Sequence, residues 1–146
     1  MQVKFKKLNK EAYAPEKAHK EDAGFDLKAI SREFTDSYIE YDTGLAFEVP
    51  TGYVGLLFPR SSVSKKDLTL ANCVGVLDSC YRGPVKFRFK VANKVSGDKS
   101  ENYYDIGDKI GQIIILPYPE IEYKEVDTLS ETDRGNCGFG SSDKNN

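Results

Sequence analysis

The chain has 146 residues, 39% of them hydrophobic and 30% charged, with a formal net charge of −2. That is the size and composition of one globular domain able to bury a core without disulfides or a structural metal, which excludes a disordered or membrane-buried chain. The balance of charge also excludes a broad basic surface for nucleic acid, so any polyanionic ligand must meet a local cluster of donors and cations.

The chain opens on MQVKFKKLNK, where VKF is a short β-rich run and no apolar stretch reaches signal-peptide length. His19, the one histidine, follows in the charged stretch EKAHKED, which reads as a solvated loop. A Ser-His-Asp triad, a Cys-His pair or a multi-histidine metal site would each need that residue. The chemistry is therefore expected to run on carboxylate, backbone amides and arginine. Next comes AGFDLKA (23–29), a strand-like run with an acid inside it. Aspartate is disfavoured in strands, so Asp26 either caps a turn or serves a site.

Short β-forming runs then recur: YIEY, LAFEVP and YVGLLF between 38 and 58, PVKFRFKV at 84–91 and IGQIIILP at 110–117. In PVKFRFKV the alternation puts Val85, Phe87, Phe89 and Val91 on one face and Lys86, Arg88 and Lys90 on the other. Turn signals separate the runs at Thr43-Gly44, Pro50-Thr51-Gly52, Arg82-Gly83-Pro84, Ser96-Gly97-Asp98 and Gly107-Asp108. SSVSKKDLTLAN (61–72) is the one stretch with a helical pattern, and a weak one. Many short strands at this spacing mean a sandwich, a jelly roll or a barrel. From about 117 the sequence is proline-interrupted and acidic, then dense in Gly, Ser and Asn, and reads as a loosely attached tail.

Four polar features lie on this framework. Besides Asp26, PRSS (59–62) follows an apolar run, so Arg60 offers a planar fork of donors and Ser61 and Ser62 offer hydroxyls and amides to an anion. A plain helix N-cap is the competing reading. NCVGVLDSCYRG (72–83) holds Asp78 and Tyr81 close together in a hairpin whose backbone groups suit a planar base. An accessible carboxylate there could accept a proton from water, while a β-turn aspartate bonded to its own backbone is the alternative. RGNCGFGSS (134–142) sets glycines around one aromatic with an arginine before and serines after, which suits a segment that closes on a ligand. Cys73, Cys80 and Cys137 form no C-x-x-C pair, so reduced thiols in an intracellular protein are expected.

In this order, AGFDLKA, PRSS, NCVGVLDSCYRG, GDKIGQ (107–112) and RGNCGFGSS closely resemble the five motifs of the homotrimeric dUTPase family, across nearly the whole chain. The resemblance implies an all-β, distorted jelly-roll β-barrel over 1–116, and a strand, linker and flexible glycine-rich arm over 117–146 that closes over a neighbouring subunit's site. It implies Mg²⁺-dependent hydrolysis of dUTP to dUMP and pyrophosphate by water attack on the α-phosphorus. That reaction limits uracil incorporation into DNA and supplies dUMP for dTMP synthesis.

Asp78 would orient and deprotonate the water. Asn72, Val76 and Leu77 would pair with uracil through the backbone, Tyr81 would lie against the deoxyribose, and Lys86 would sit next to the nucleotide. Arg60, Ser61, Ser62 and Gln112 would hold the α- and β-phosphates. Arg134, Gly140, Ser141 and Ser142 would close over the γ-phosphate while Phe139 stacks on uracil. Magnesium would be held mainly by the triphosphate and waters, with Asp26 contacting it through water. The resemblance implies dUTP and two further copies of the chain as partners, neither nucleic acid nor membrane, and a cytoplasmic location. Four positions depart from the common pattern: Pro59, Cys80, Gly111 where alanine is usual, and Asp143 where glycine often ends the fifth motif. The alternatives are a dCTP deaminase, which needs a catalytic glutamate absent from the third motif, and a regulatory nucleotide-binding protein on the same fold.

Overall fold

The computed structural model describes residues 1–91 and 102–138. The expected turn at Ser96-Gly97-Asp98 lies outside the described residues, as do Phe139, Gly140, Ser141, Ser142 and Asp143. Ten strands among the described residues carry the fold: β1 (Lys4–Lys7), β2 (Phe25–Lys28), β3 (Ser31–Phe34), β4 (Ile39–Asp42), β5 (Leu45–Glu48), β6 (Tyr53–Phe58), β7 (Leu68–Leu70), β8 (Gly75–Leu77), β9 (Lys86–Val91) and β10 (Lys109–Pro117). They form antiparallel sheets in the orders β1-β5, β2-β10-β6-β8 and β3-β4-β9-β7. This is an all-β, jelly-roll type of fold, although the three sheets are not hydrogen-bonded into one closed barrel. No helix among the described residues is long and apolar enough to cross a membrane.

One core joins the sheets. Leu27, Leu57, Leu77, Ile110 and Ile113 come from the sheet of β10, and Ile39, Tyr41, Leu68, Phe87 and Phe89 from the sheet of β9. The alternation in β9 is as expected, with Phe87 and Phe89 buried and Lys86, Arg88 and Lys90 exposed. Each buried phenylalanine contributes about 1.5–3 kcal/mol through removal of its ring from water. Gly111 on β10 lies under the Phe87 ring, where a Cβ would collide with that ring and crowd the Phe58 carbonyl. The ring takes the volume that a common alanine would fill.

The turn glycines behave as their positions require: Gly44, Gly52 and Gly107 have φ of 64°, 82° and 92°, the left-handed region that favours glycine. The helical expectation for 61–72 is corrected. Only Ser61–Lys65 forms a 3₁₀ turn, and the chain then enters β7, because Leu68 and Leu70 alternate into the core around an exposed Thr69. Beyond β10, residues 118–138 form no regular strand or helix, and residues 116–137 are exposed.

Candidate active site

The first half of the site is the hairpin around β8. This strand ends its sheet, so one row of its backbone N–H and C=O groups has no ladder partner among the described residues. Its approach is a tight turn in which Cys73 takes φ 60° and Val74 N donates to Asn72 O at 2.6 Å. After Leu77 the chain turns again, with Tyr81 N donating to Asp78 O at 3.1 Å. The Tyr81 hydroxyl donates to Pro84 O at 3.2 Å, and the ring lies over Gly83, where a Cβ would strike it. The far end is pinned to the core: Thr43 Oγ1, fully buried, donates to Val85 O at 2.7 Å, and Val85 N donates to Leu45 O at 2.8 Å.

A cavity of ≈ 230 Å³ opens on this hairpin, lined by Asn72, Val76, Leu77, Asp78, Tyr81 and Lys86 together with Leu57, Gly75, Pro84 and Val85. Six residues singled out in the sequence thus share one pocket. Asp78 is exposed, and its carboxylate has no ion-pair or hydrogen-bond partner among the described residues. Lys86 is held instead by a residue that sequence reasoning missed. Glu40, 7% exposed on β4, accepts from Lys86 Nζ at 2.6 Å and from Arg88 Nε at 2.8 Å. The Lys86 ammonium beside it, ahead of the Arg88 guanidinium, holds the Glu40 carboxyl below the usual carboxylate range, and Glu40 in turn raises Lys86.

The second half is a charged corner where β2, β10 and the end of β6 meet. Gln112 on β10 stands opposite Asp26 on β2 and Phe58 on β6, and its Nε2 donates to Pro59 O at 3.2 Å. Asp26, 8% exposed, accepts from Arg60 Nε at 2.8 Å through Oδ1 and faces Lys109 Nζ at 2.9 Å through Oδ2. That pairing leaves the terminal nitrogens of the Arg60 fork without a partner among the described residues. Lys109 continues to Glu16 at 3.1 Å, and Glu16 to Lys28 at 3.0 Å. Hydrogen bonding to Asp26 and then Glu16 raises the Lys109 ammonium above its ordinary range, which keeps it a cation.

A cavity of ≈ 380 Å³ lies in front of this network, lined by Lys28, Arg60, Ser62, Lys66, Tyr104, Gly107, Asp108 and Lys109. Ser61 is exposed at the mouth of the 3₁₀ turn. Lys28 and Lys109 sit inside AGFDLKA and GDKIGQ without having been singled out, whereas Lys66 and Tyr104 carry no local motif signal.

The two halves do not meet within one chain. Leu77 pairs with Gly55 on β6, so Asp78 leaves the sheet beside Val54. Six residues of extended chain, roughly 20 Å at the usual strand rise, separate Val54 from Arg60. Arg60 then reaches across β10 toward β2, away from β8. The two cavities share no lining residue, and neither is lined by a described residue beyond Lys109. Arg134 sits apart in an exposed turn, its Nε donating to Cys137 O at 3.1 Å.

No cluster of three or more His, Cys, Asp or Glu side chains among the described residues could hold a metal ion. Both Asp26 oxygens are engaged by cations, which leaves only their remaining lone pairs for a further contact.

Comparison with known proteins gives consistent likenesses. The dUTPase family model matches residues 10–143. The deoxyuridine 5'-triphosphate nucleotidohydrolase of Nautilia profundicola is 40% identical, the match covering 99% of this chain and 100% of that protein. Among solved structures, a single-substitution mutant of the dUTPase of Staphylococcus bacteriophage 80alpha with dUpNHpp superposes at TM-score 0.83 and 28% identity, covering 97% of this chain and 98% of that one. A single-substitution mutant of the dUTPase from phage phi11 of S. aureus, described with a coordinated structural Mg(II) ion, superposes at TM-score 0.74 and 26% identity, covering 88% and 99%.

Proposed function

The chain belongs to the dUTPase family, and from that premise we propose how its own residues divide the hydrolysis of dUTP to dUMP and pyrophosphate. The hairpin recognises the nucleoside and supplies the base. Uracil pairs with the free backbone edge of β8 around Val76 and Leu77 and with Asn72, in a pocket too tight for a 5-methyl group. Tyr81, fixed over Gly83 by its bond to Pro84, lies against the deoxyribose where a 2′-hydroxyl would clash. Asp78, free of any cation, takes the proton from the water that attacks the α-phosphorus.

The charged corner holds the phosphates. Asp26 fixes Arg60 through Nε and leaves the rest of the fork for phosphate oxygens, alongside Ser61, Ser62 and Gln112. Bound Mg²⁺ would neutralise part of the triphosphate's charge; it would be held by phosphate oxygens and waters, with Asp26 reaching it through one of those waters. Lys86, lining the same pocket and held by Glu40, sits next to the nucleotide.

The observation that carries this reading is the pocket that gathers Asn72, Val76, Leu77, Asp78 and Tyr81. Its separation from the Arg60 corner supports a site assembled from different copies of the chain, because base and phosphate donors must act on one α-phosphate. A homotrimer satisfies this with closed symmetry, and the arm from Arg134 onward, with Phe139, Gly140, Ser141 and Ser142, closes the composite site. On this reading the enzyme works inside the cell, where its three free thiols stay reduced.

Pyrophosphate release measured with dUTP, dTTP, dCTP and UTP tests the proposal. Turnover of dUTP with rates at least about 10²-fold lower for the other three is expected, since each misfit leaves a buried polar group unpaired or a clash. Comparable rates on UTP or dTTP would overturn it.

A further inference from the structure

The pocket that gathers Asp78 and Tyr81 is bordered by one cation. Among the residues lining it only Asp78 and Lys86 are charged, and Tyr81 is the remaining titratable group. A lysine that shares a cavity of ≈ 230 Å³ with a carboxylate has an obvious partner there. Yet the ion pairs that Lys86 makes are with Glu40 and Asp42 instead. Arg82, the other cation close to Asp78 in sequence, gives its Nη1 to Ser79 O at 2.6 Å and Tyr81 O at 2.9 Å.

The Lys86 ammonium is thus turned toward β4. It donates to Glu40 Oε1 at 2.6 Å and lies 3.9 Å from Asp42 Oδ2. Asp42 is the weaker hold, since its other oxygen accepts from Gly44 N at 2.7 Å in the following turn. Glu40 is fixed from its far side as well: Oε2 accepts from Arg88 Nε at 2.8 Å, and the Arg88 guanidinium lies 4.7 Å from the centre of the Tyr38 ring. Strand register sets this up, with Glu40 opposite Arg88 and Asp42 opposite Lys86. Across the other edge of β4, Glu33 on β3 stands opposite Glu40 and adds a third acid that acts on Lys86.

The core does not ask for an acid at position 40. Ile39 and Tyr41 pair with Phe89 and Phe87 and fill the core, while Glu40 alternates to the opposite face and is still 7% exposed. Burying a carboxylate carries a desolvation cost that an apolar side chain would avoid. The Lys86 ammonium, ahead of the Arg88 guanidinium, holds Glu40 below the usual carboxylate range, and Glu40 raises Lys86, so both are charged at neutral pH.

We propose that Glu40 is a positioning residue for the reaction: by binding the Lys86 ammonium it keeps the one cation bordering the pocket from pairing with Asp78, and so preserves Asp78 as a free base. This rests on the role given to Asp78 above. An opposite charge close to a carboxylate favours its ionised form, which makes it a weaker base. Lys86 remains next to the nucleotide with its charge already answered.

The test follows kcat/KM for dUTP against pH in the full chain, with folding monitored at each pH. The variants are Glu40→Gln, Lys86→Met and the two combined. Glu40→Gln releases a charged Lys86 into the pocket, so the acid limb of the profile should move down by about one pH unit and the plateau should fall several-fold. Adding Lys86→Met removes the released cation and should bring the limb back to its wild-type position. Lys86→Met alone should leave the limb in place; only the position of its limb is read, because Lys86 also borders the nucleotide.

A Glu40→Gln protein that is slower with an unmoved limb would show a merely structural acid and overturn the proposal. So would a shifted limb that persists in the combined variant. Should Glu40→Gln not fold, Lys86→Met decides alone, because a limb that moves up in that variant would show Lys86 already acting on Asp78. A wild-type protein without dUTP turnover, or Asp78→Asn at full rate, would instead sink the functional reading, so the two failures are distinguishable.

Discussion

The hairpin around β8 and the charged corner around Asp26 solve opposite problems with opposite means. In the hairpin, position comes from backbone bonds and from burial of Leu77 and Val85, and the one carboxylate facing the pocket, Asp78, is left without a cation. In the corner nearly every charge is paired, and the chain Arg60–Asp26–Lys109–Glu16–Lys28 fixes each cation by its neighbour. A base must be free to take a proton, whereas phosphate donors must already be in place when the substrate arrives. On the proposed roles, the difference teaches that pairing within this protein goes with the groups that position, and its absence with the group that reacts.

That contrast can be broken or sharpened by variants. Asp78→Asn removes the unpaired base and keeps the shape of the pocket; kcat should fall by roughly 10²–10⁴ with analogue binding preserved. Near-normal turnover would end the assignment. A chain ending before Arg134 keeps both regions, because the described residues 116–137 are exposed and add little to the core. It should fold with an unchanged melting temperature while dUTP turnover drops on the order of 10²-fold, the usual effect of losing a donor to developing charge. Unfolding of that truncation would show the arm to be structural.

The smallest effect concerns Glu40, which belongs to positioning alone. Its folded pKa lies below the ordinary 4.5, so the stability it contributes is present above the unfolded value and is lost as pH falls through the lower folded one. Glu40→Gln should cost about 1–2 kcal/mol at neutral pH, because Lys86 and Arg88 keep substantial solvent exposure. It should also flatten the loss of stability below pH 4.5. Denaturant melts at neutral and acid pH would check both, and a variant with the wild-type acid profile would contradict the role given to Glu40.

Much of the framework could be read from the residues, for reasons that differ along the chain. β9 was legible because Phe87 and Phe89 alternate with charges, and β6 and β10 because they are long and apolar. β3 was not, because all four of its residues, Ser31–Phe34, are exposed and show no inward face. β7 was hidden in a weak helical pattern because a three-residue strand offers only Leu68 and Leu70 as its signal. The hairpin half of the site is contiguous in sequence, so Asn72 through Tyr81 could be named together. The corner is built by pairing β2, β6 and β10, and nothing local in the sequence links Asp26 to Arg60 and Lys109. Glu40 was missed for the same reason: its partners stand dozens of residues away.

The most direct test of the central claim, that base and phosphate donors of one site come from different copies, is subunit complementation. Asp78→Asn and Arg60→Ala chains, each inactive alone, are denatured, mixed in equal amounts and refolded together. In a trimer with sites shared between neighbours, random mixing leaves some sites with an intact hairpin from one copy and an intact corner from the next, restoring about one quarter of wild-type dUTP turnover. A mixture that assembles and stays as inactive as its parents would mean that each chain carries its own complete site, and would contradict the account.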